Sequence, residues 1–308
     1  MDFQSRVFRK RVTATLANLT VAAVLSVAMT TVVYAQKSFS TPEAAMNAFG
    51  DAVLKNREDA LRAIFGGDFR ELIPPIGAQV RDTFVAQWAR SHAIKPMDSR
   101  HASIAVGDDG WTFPIPLVKT DQGWHFDTRA GAEVMRARRI GRNELAVIQT
   151  MLVIYDAQRE YAQTNHDGEG VLAYASRMVS SPGKHDGLYW PGGPDDNQSP
   201  LGEAFVDAAS RAKNDGYYGY HYRLLDSQGP HAPGGAYDYV VRGKLFGGFA
   251  VIAWPVKYGD TGIKTFMVSH AGHVYQRDLG PESAAKAEAT KSFDPGPGWS
   301  KVPDRDSQ

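Results

Sequence analysis

Apolar residues recur at helical spacing in several stretches of the chain and alternate or run together in others. Ser40-Thr41-Pro42-Glu43 sets a capping hydroxyl and a first-turn proline ahead of Ala44, Ala45, Ala48, Phe49, Ala52 and Val53. Their steps of three and four make one stripe, which predicts a helix from that point. A second helix is predicted over 57–65, closed by Gly66-Gly67, and another over 78–90. Short β-rich runs follow at 102–106, 111–119 and 123–127, separated by Gly107-Asp108-Asp109-Gly110 and Thr120-Asp121-Gln122-Gly123, which have the composition of tight hairpin turns. Residues 130–165 are the most helical stretch. Leu145, Ile148, Leu152 and Tyr155 form one stripe there and Val147, Met151, Ile154 and Tyr161 a neighbouring one, so burial on more than one side is expected. Gly141 is a point where that helix is expected to break in two. A Pro-, Gly- and Asp-rich loop spans 180–202 and a short helix 201–212. The remainder is β again: a strand over 217–225, a near-continuous apolar run over 249–257 suited to a sheet centre, and a hairpin of 264–269 with 273–278 around His270-Ala271-Gly272. A last short helix is predicted over 284–290.

Small helices leading into an antiparallel meander, then a long helix leading into a second antiparallel sheet, imply an α+β fold. The subdomains are expected at 36–130 and 131–300, with a disordered tail over 301–308.

The N-terminus adds an address. Arg6, Arg9, Lys10 and Arg11 precede a stretch from Ala14 to Tyr34 with no charged side chain, and Val33-Tyr34-Ala35 ends it. This is the pattern of a signal peptide over 1–35, cleaved after Ala35, with retention as a membrane anchor as the alternative. Arg9-Lys10-Arg11 is not a twin-arginine pair, so a Sec route into the periplasm or the medium is expected. Formal charge is zero, from Lys plus Arg 34 and Asp plus Glu 34. The leader carries four positive charges and one negative, so the mature chain stands at −3, without a basic field for nucleic acid. The chain has no cysteine, which excludes a disulfide framework, a thiolate metal site and a lipid-anchored N-terminal cysteine.

Four motifs in order carry a resemblance: Arg138-Arg139-Ile140-Gly141-Arg142-Asn143-Glu144, Tyr155-Asp156-Ala157-Gln158-Arg159-Glu160-Tyr161, Ala232-Pro233-Gly234-Gly235-Ala236-Tyr237-Asp238-Tyr239, and Gly247-Gly248-Phe249-Ala250 through Trp254-Pro255 to Tyr258-Gly259-Asp260-Thr261-Gly262. Together they resemble the exported bacterial proteins of domain-of-unknown-function family 2950, over essentially the whole mature chain. That resemblance implies no activity. The first half, ending in a Gly-Trp-His-Phe-Asp run, looks like the cone-shaped nuclear transport factor 2 fold. The second half resembles a pseudopilin or pilin head, in which a helix carrying Ala157, Gln158 and Tyr161 leads through a glycine-containing loop into an antiparallel sheet closed by a hairpin. The chain lacks a prepilin cleavage site and its helix is internal, so pilus assembly is not implied.

Candidate chemistry is sparse. Arg138, Arg139, Arg142, Asn143 and Glu144 read either as a clamp for an anionic ligand, since guanidinium forks suit carboxylate and phosphate, or as an interdomain tie. His270 and His273 bracket a turn, but a metal site needs three or four ligands and residues three apart in a strand face opposite ways. Asp195, Asp196 and Asn197 are weak calcium candidates, offering oxygen ligands without a calcium-loop pattern. Tyr189, Trp190 and the tyrosines of 217–222 are candidates for stacking on sugars or for ordinary sheet packing. His125 and Asp127, with His101, are the weak acid–base candidates for a cavity in the first subdomain. No nucleophile elbow, dinucleotide fingerprint or phosphate loop occurs, so neither nucleotide nor other cofactor is expected. The expectation is a non-catalytic binding or scaffolding component of the envelope, its partner an envelope protein or cell-wall component, touching membrane only through its leader before cleavage. The alternatives are a hydrolase or isomerase using the first subdomain's cavity and a calcium-stabilised extracytoplasmic module.

Overall fold

The computed structural model describes residues 36–67, 69–166, 168, 170–191, 198–202 and 216–303. It has the α+β architecture, built as two cores on one long helix. Thr41 caps α1 (Pro42–Leu54) by accepting the Ala44 N–H at 3.1 Å. The helix buries Ala45, Met46, Phe49 and Ala52. After it come α2 (Glu58–Phe65), stopped by Gly66 at φ 99°, the single turn α3 (Phe69–Leu72) and α4 (Ala78–Arg90).

These helices cover an antiparallel sheet of β1 (His92–Pro96), β2 (His101–Val106), β3 (Leu117–Thr120) and β4 (Gly123–Phe126), paired in that order. On β2, Ala102, Ile104 and Val106 face inward while their neighbours face out, the period-two pattern of a half-buried strand. The strand expected over 111–119 is shorter. Trp111 to Phe113 run back along β2, but Pro114 and Pro116 have no N–H to offer a ladder and pairing resumes only at Leu117.

Asp127 ends the sheet and starts α5 (Thr128–Tyr161), its carboxylate accepting the Ala130 N–H at 2.9 Å. The helix runs 34 residues without a break, about 50 Å at 1.5 Å per residue. Gly141 does not interrupt it, since its exposed position costs only propensity and no neighbour presses on it. Early in the helix, Gly131 packs against Ile115, where an added Cβ would sit 2.7 Å from Cγ1. Later, Val147, Met151, Ile154, Ala157 and Tyr161 enter the second core, each large side chain contributing about 1.5–3 kcal/mol of burial. The companion stripe is not buried as expected: Leu145 is 66% exposed, the adjoining Val153 is 53% exposed, and Ile148 and Leu152 are only partly covered. The sheet occupies one side of the helix, and among the described residues no second layer closes the other.

The second sheet is antiparallel in the order β15 (Ser300–Lys301), β14 (Val274–Asp278), β13 (Lys264–Ser269), β12 (Ala250–Pro255), β7 (Tyr220–Leu225). All six residues of β12 are buried because both faces are covered. Val251 and Ala253, with Phe266 and Val268, meet α5, while Ala250, Ile252 and Trp254, with Met267, meet Phe293 and α6 (Ser283–Ala289). The hairpin around His270-Ala271-Gly272 joins β13 to β14. The strand expected from Tyr217 begins at Tyr220, because Gly216, Tyr218 and Gly219 take positive φ in a turn closed by reciprocal Tyr217 and Tyr220 hydrogen bonds. Order extends beyond residue 300, since Lys301 pairs with Tyr275 and Val302 N–H donates to Val274 O.

Three small pairs complete this half. β5 (Arg177–Val179) and β6 (Gly187–Tyr189) run parallel, so part of the expected 180–202 loop is strand. β8 (Ser227–Gln228) pairs with β9 (Tyr237–Asp238), and β10 (Val240–Val241) with β11 (Lys244–Leu245). Gln158 of α5 is fully buried and anchors this edge, donating to Ala175 O and accepting Ala175 N–H, both at 2.9 Å. The leader and nearly all of the short helix expected over 201–212 lie outside the described residues, of which no helix is long and apolar enough to cross a membrane.

Candidate functional site

The charged motif on α5 lies between the two cores. Arg138 turns to the first half, donating to Thr112 O at 2.8 Å and Thr112 Oγ1 at 2.9 Å beneath the Trp111 ring. Arg139 and Asn143 turn to the second, where Arg139 pairs with Asp260 and Asn143 donates to Thr261 O at 2.8 Å. Glu144 accepts the N–H groups of Ile263 and Lys264 at 2.8 and 2.9 Å. An exposed pair such as Arg139–Asp260 is worth about 0–1 kcal/mol, whereas removing the Glu144 acceptor strands two backbone donors at about 1–3 kcal/mol each. Glu144 is therefore the stronger tie. Gly262 lies against the Tyr220 hydroxyl with no room for a side chain, and Tyr220 donates to Lys264 O at 2.9 Å. Burial and the nearby Glu144 push the Tyr220 phenol far above its ordinary pKa, so it is neutral. Arg142 is exposed and takes no part in these contacts. Arg138, Arg139, Asn143 and Glu144 thus spend their polar atoms on the fold.

The acid–base candidates are dispersed. His125 pairs across the sheet with Val118, on the face opposite the buried Phe126. Asp127 is engaged as the α5 cap. His101 is exposed and binds Asp98, whose carboxyl is held below the usual range first by the Arg100 N–H and then by the His101 side chain. None of the three lines either of the two cavities described next.

A cavity of about 530 Å³ does open in the first half, between α1, α2, α3, α4 and the Trp111–Phe113 segment. Its wall holds Phe49, Phe65, Phe69, Phe84, Trp111 and Phe113, with Val53, Leu61, Ile73, Ile76 and Val80. The rings brace one another, Phe49 edge-on to Phe65 and Phe84 at 5.7 and 5.9 Å and tilted on Phe113 at 4.5 Å. Polar groups are few: Asn56, Arg70, Arg81, Thr83, Gln87 and Asp109. Such an arrangement suits an apolar molecule. Sequence reasoning raised a cavity in this half but attached it to His125, Asp127 and His101, none of which lines this one. The available signal was six rings on short elements, more than a four-stranded sheet needs.

A second, more polar cavity of about 570 Å³ lies beside Tyr161, His166, Tyr174, Lys184, His185 and Lys244. His166 stacks on Tyr161 at 4.0 Å and His185 on Trp190 at 4.4 Å. The suggested aromatic platform is mostly core, with Trp190 and Tyr220 buried and Tyr218 exposed.

His270 and His273 do not converge. His273 is exposed, while His270 packs under Gly248 with Nδ1 buried and without a hydrogen-bond partner and Nε2 3.4 Å from the Tyr237 hydroxyl. Among the described residues no three His, Cys, Asp or Glu side chains group to hold a metal. Asp195, Asp196 and Asn197 lie outside the described residues.

A family model described as "Protein of unknown function (DUF2950)" matches residues 36–302. The chain belongs to this family. No curated protein and no solved structure matches it. The DUF2950 match takes in both cores, the long helix and the aromatic cavity.

Burial holds the His270 pKa below its ordinary value. As pH falls through about 6.5, the unfolded chain takes up a proton that folded His270 resists, so stability declines toward acid. The melting temperature should therefore fall between about pH 7.5 and about pH 5.5, and His270→Gln should flatten that slope. An identical slope in the variant would remove His270 from the account.

Proposed function

We propose that this DUF2950 protein is an exported, non-catalytic binding protein of the bacterial envelope that holds a small apolar molecule in the cavity of its first half. The observation that carries the reading is the aromatic wall. Six rings enclose about 530 Å³, within the roughly 300–1,000 Å³ range of small-molecule sites. Transfer of an apolar surface into such a wall is favourable at about 25 cal/mol per Å² removed from water, without any catalytic group. The dispersal of His101, His125 and Asp127 away from the cavity supports binding over turnover.

Export rests on the charged start, apolar stretch and Val33-Tyr34-Ala35 ending of the leader. Sequencing the N-terminus of the protein from a periplasmic or culture fraction should give Gln36 as the first residue. Recovery solely from the cytosol with Met1 in place would refute export.

Binding is read with N-phenyl-1-naphthylamine, a neutral apolar fluorophore. The mature protein should bind it saturably. Val53→Trp, which adds a ring to the cavity wall, should weaken binding at least tenfold (about 1.4 kcal/mol) with the melting temperature retained. Absence of saturable binding, or equal binding by a folded Val53→Trp protein, would contradict the reading.

A further inference from the structure

We propose that the ligand is a single-chain amphiphile ending in a carboxylate, and that Arg81 receives its head. This rests on the cavity reading above and adds a class of ligand to it.

Two guanidinium groups line the cavity, and they differ in what their donors already do. Arg70 is saturated: Nε donates to Glu58 at 2.8 Å, Nη2 to the other Glu58 oxygen, and Nη1 to Ile73 O at 3.2 Å. The Glu58 carboxyl is correspondingly held below its ordinary pKa, first by the Arg70 hydrogen bonds, so that pair is charged and internally neutral. Arg81, on α4, is not saturated. Its Nε is buried with no hydrogen-bond partner, and Nη2 reaches Leu54 O only at 3.4 Å. Among the described residues no carboxylate pairs with it.

A buried charged donor left without an acceptor is unfavourable, and a bound anion would relieve it. A carboxylate fits the planar guanidinium fork through two parallel hydrogen bonds. The charge balance favours a monoanion. Glu58 cancels Arg70, which leaves Arg81 as the unspent cation of the wall. Among the described residues of the wall the one acid, Asp109, is turned to its own loop and accepts the Trp111 N–H at 3.1 Å. A dianionic head would meet one available cation with an acid in the same wall.

The rest of the ligand is set by the wall. Ile76 and Val80 line the cavity yet are 50% and 60% exposed, so apolar surface continues from the aromatic interior to the opening. A flexible alkyl chain follows such a surface.

The test is displacement of N-phenyl-1-naphthylamine by dodecanoate and by dodecanol, which share a tail and differ in charge, on the mature protein and on Arg81→Met and Arg81→Lys. On the native protein dodecanoate should displace the probe at a concentration at least tenfold lower than dodecanol. Arg81→Met should abolish that advantage, bringing the ratio of dodecanol to dodecanoate displacement concentrations to about one in a folded protein that still binds the probe, and Arg81→Lys should keep part of it. Probe binding with equal displacement by the two compounds on the native protein would overturn the carboxylate assignment and leave the cavity reading intact. So would a dodecanoate advantage that survives in folded Arg81→Met. Failure of the probe to bind the native protein at all would instead remove the cavity reading, and this inference with it.

Discussion

One helix enters the second core and braces the first through Gly131 and Arg138, and that link governs the rest of the molecule. The start of α5 is fixed by the Asp127 cap and by the close approach of Gly131 to Ile115, and its last four turns are fixed by Val147, Met151, Ile154 and Tyr161 against the second sheet. Between them, Arg138 and Arg139 are consecutive residues, about 100° apart around a helix of 3.6 residues per turn. One holds Thr112 of the first half and the other Asp260 of the second. The consecutive pair thus reaches both halves at once.

The same geometry separates packing from binding. The second core is covered on both faces of β12, so its strands read as continuous apolar runs. In the first half the sheet has four short strands, and α1, α2, α3 and α4 each bring an aromatic ring to the cavity wall. Phe49, Phe65, Phe84 and Phe113 brace one another around open space, with Arg81 left as a cation in an apolar wall. Burial that is complete stabilises; burial that is incomplete in one place and lined by rings leaves the concave apolar wall on which the proposed binding rests.

What the sequence displayed clearly were features with local causes. Thr41 with Pro42, Asp127 and Gly66 act at helix ends through side-chain acceptors or positive φ, and each stands where the chain pattern put a boundary. The apolar run at Ala250–Pro255 is the centre of its sheet because only a strand covered on both faces tolerates such a run. Features with distant causes were not legible. β1 is mostly exposed and lacks an alternating pattern, since its partner β2 supplies the buried side. The exposure of Leu145 and Val153 depends on what fails to pack against α5, which periodicity does not encode. Gln158 reads as an ordinary helix glutamine until Ala175 arrives, 17 residues on, to occupy both ends of its amide. Arg81 resembles any surface arginine of a helix until the pairing of Arg70 with Glu58 leaves it the one with donors to spare.

Scanning calorimetry of the mature protein and of Gly141→Pro tests the shared helix most directly. Gly141 is exposed and touches nothing, so proline there acts on the α5 backbone alone, removing one hydrogen bond and clashing one turn back, at about 3 kcal/mol. If the helix couples the two cores, the native protein unfolds in one transition with matching calorimetric and van 't Hoff enthalpies, and the variant unfolds in two. Two separate transitions in the native protein, or a single unshifted transition in Gly141→Pro, would contradict the account.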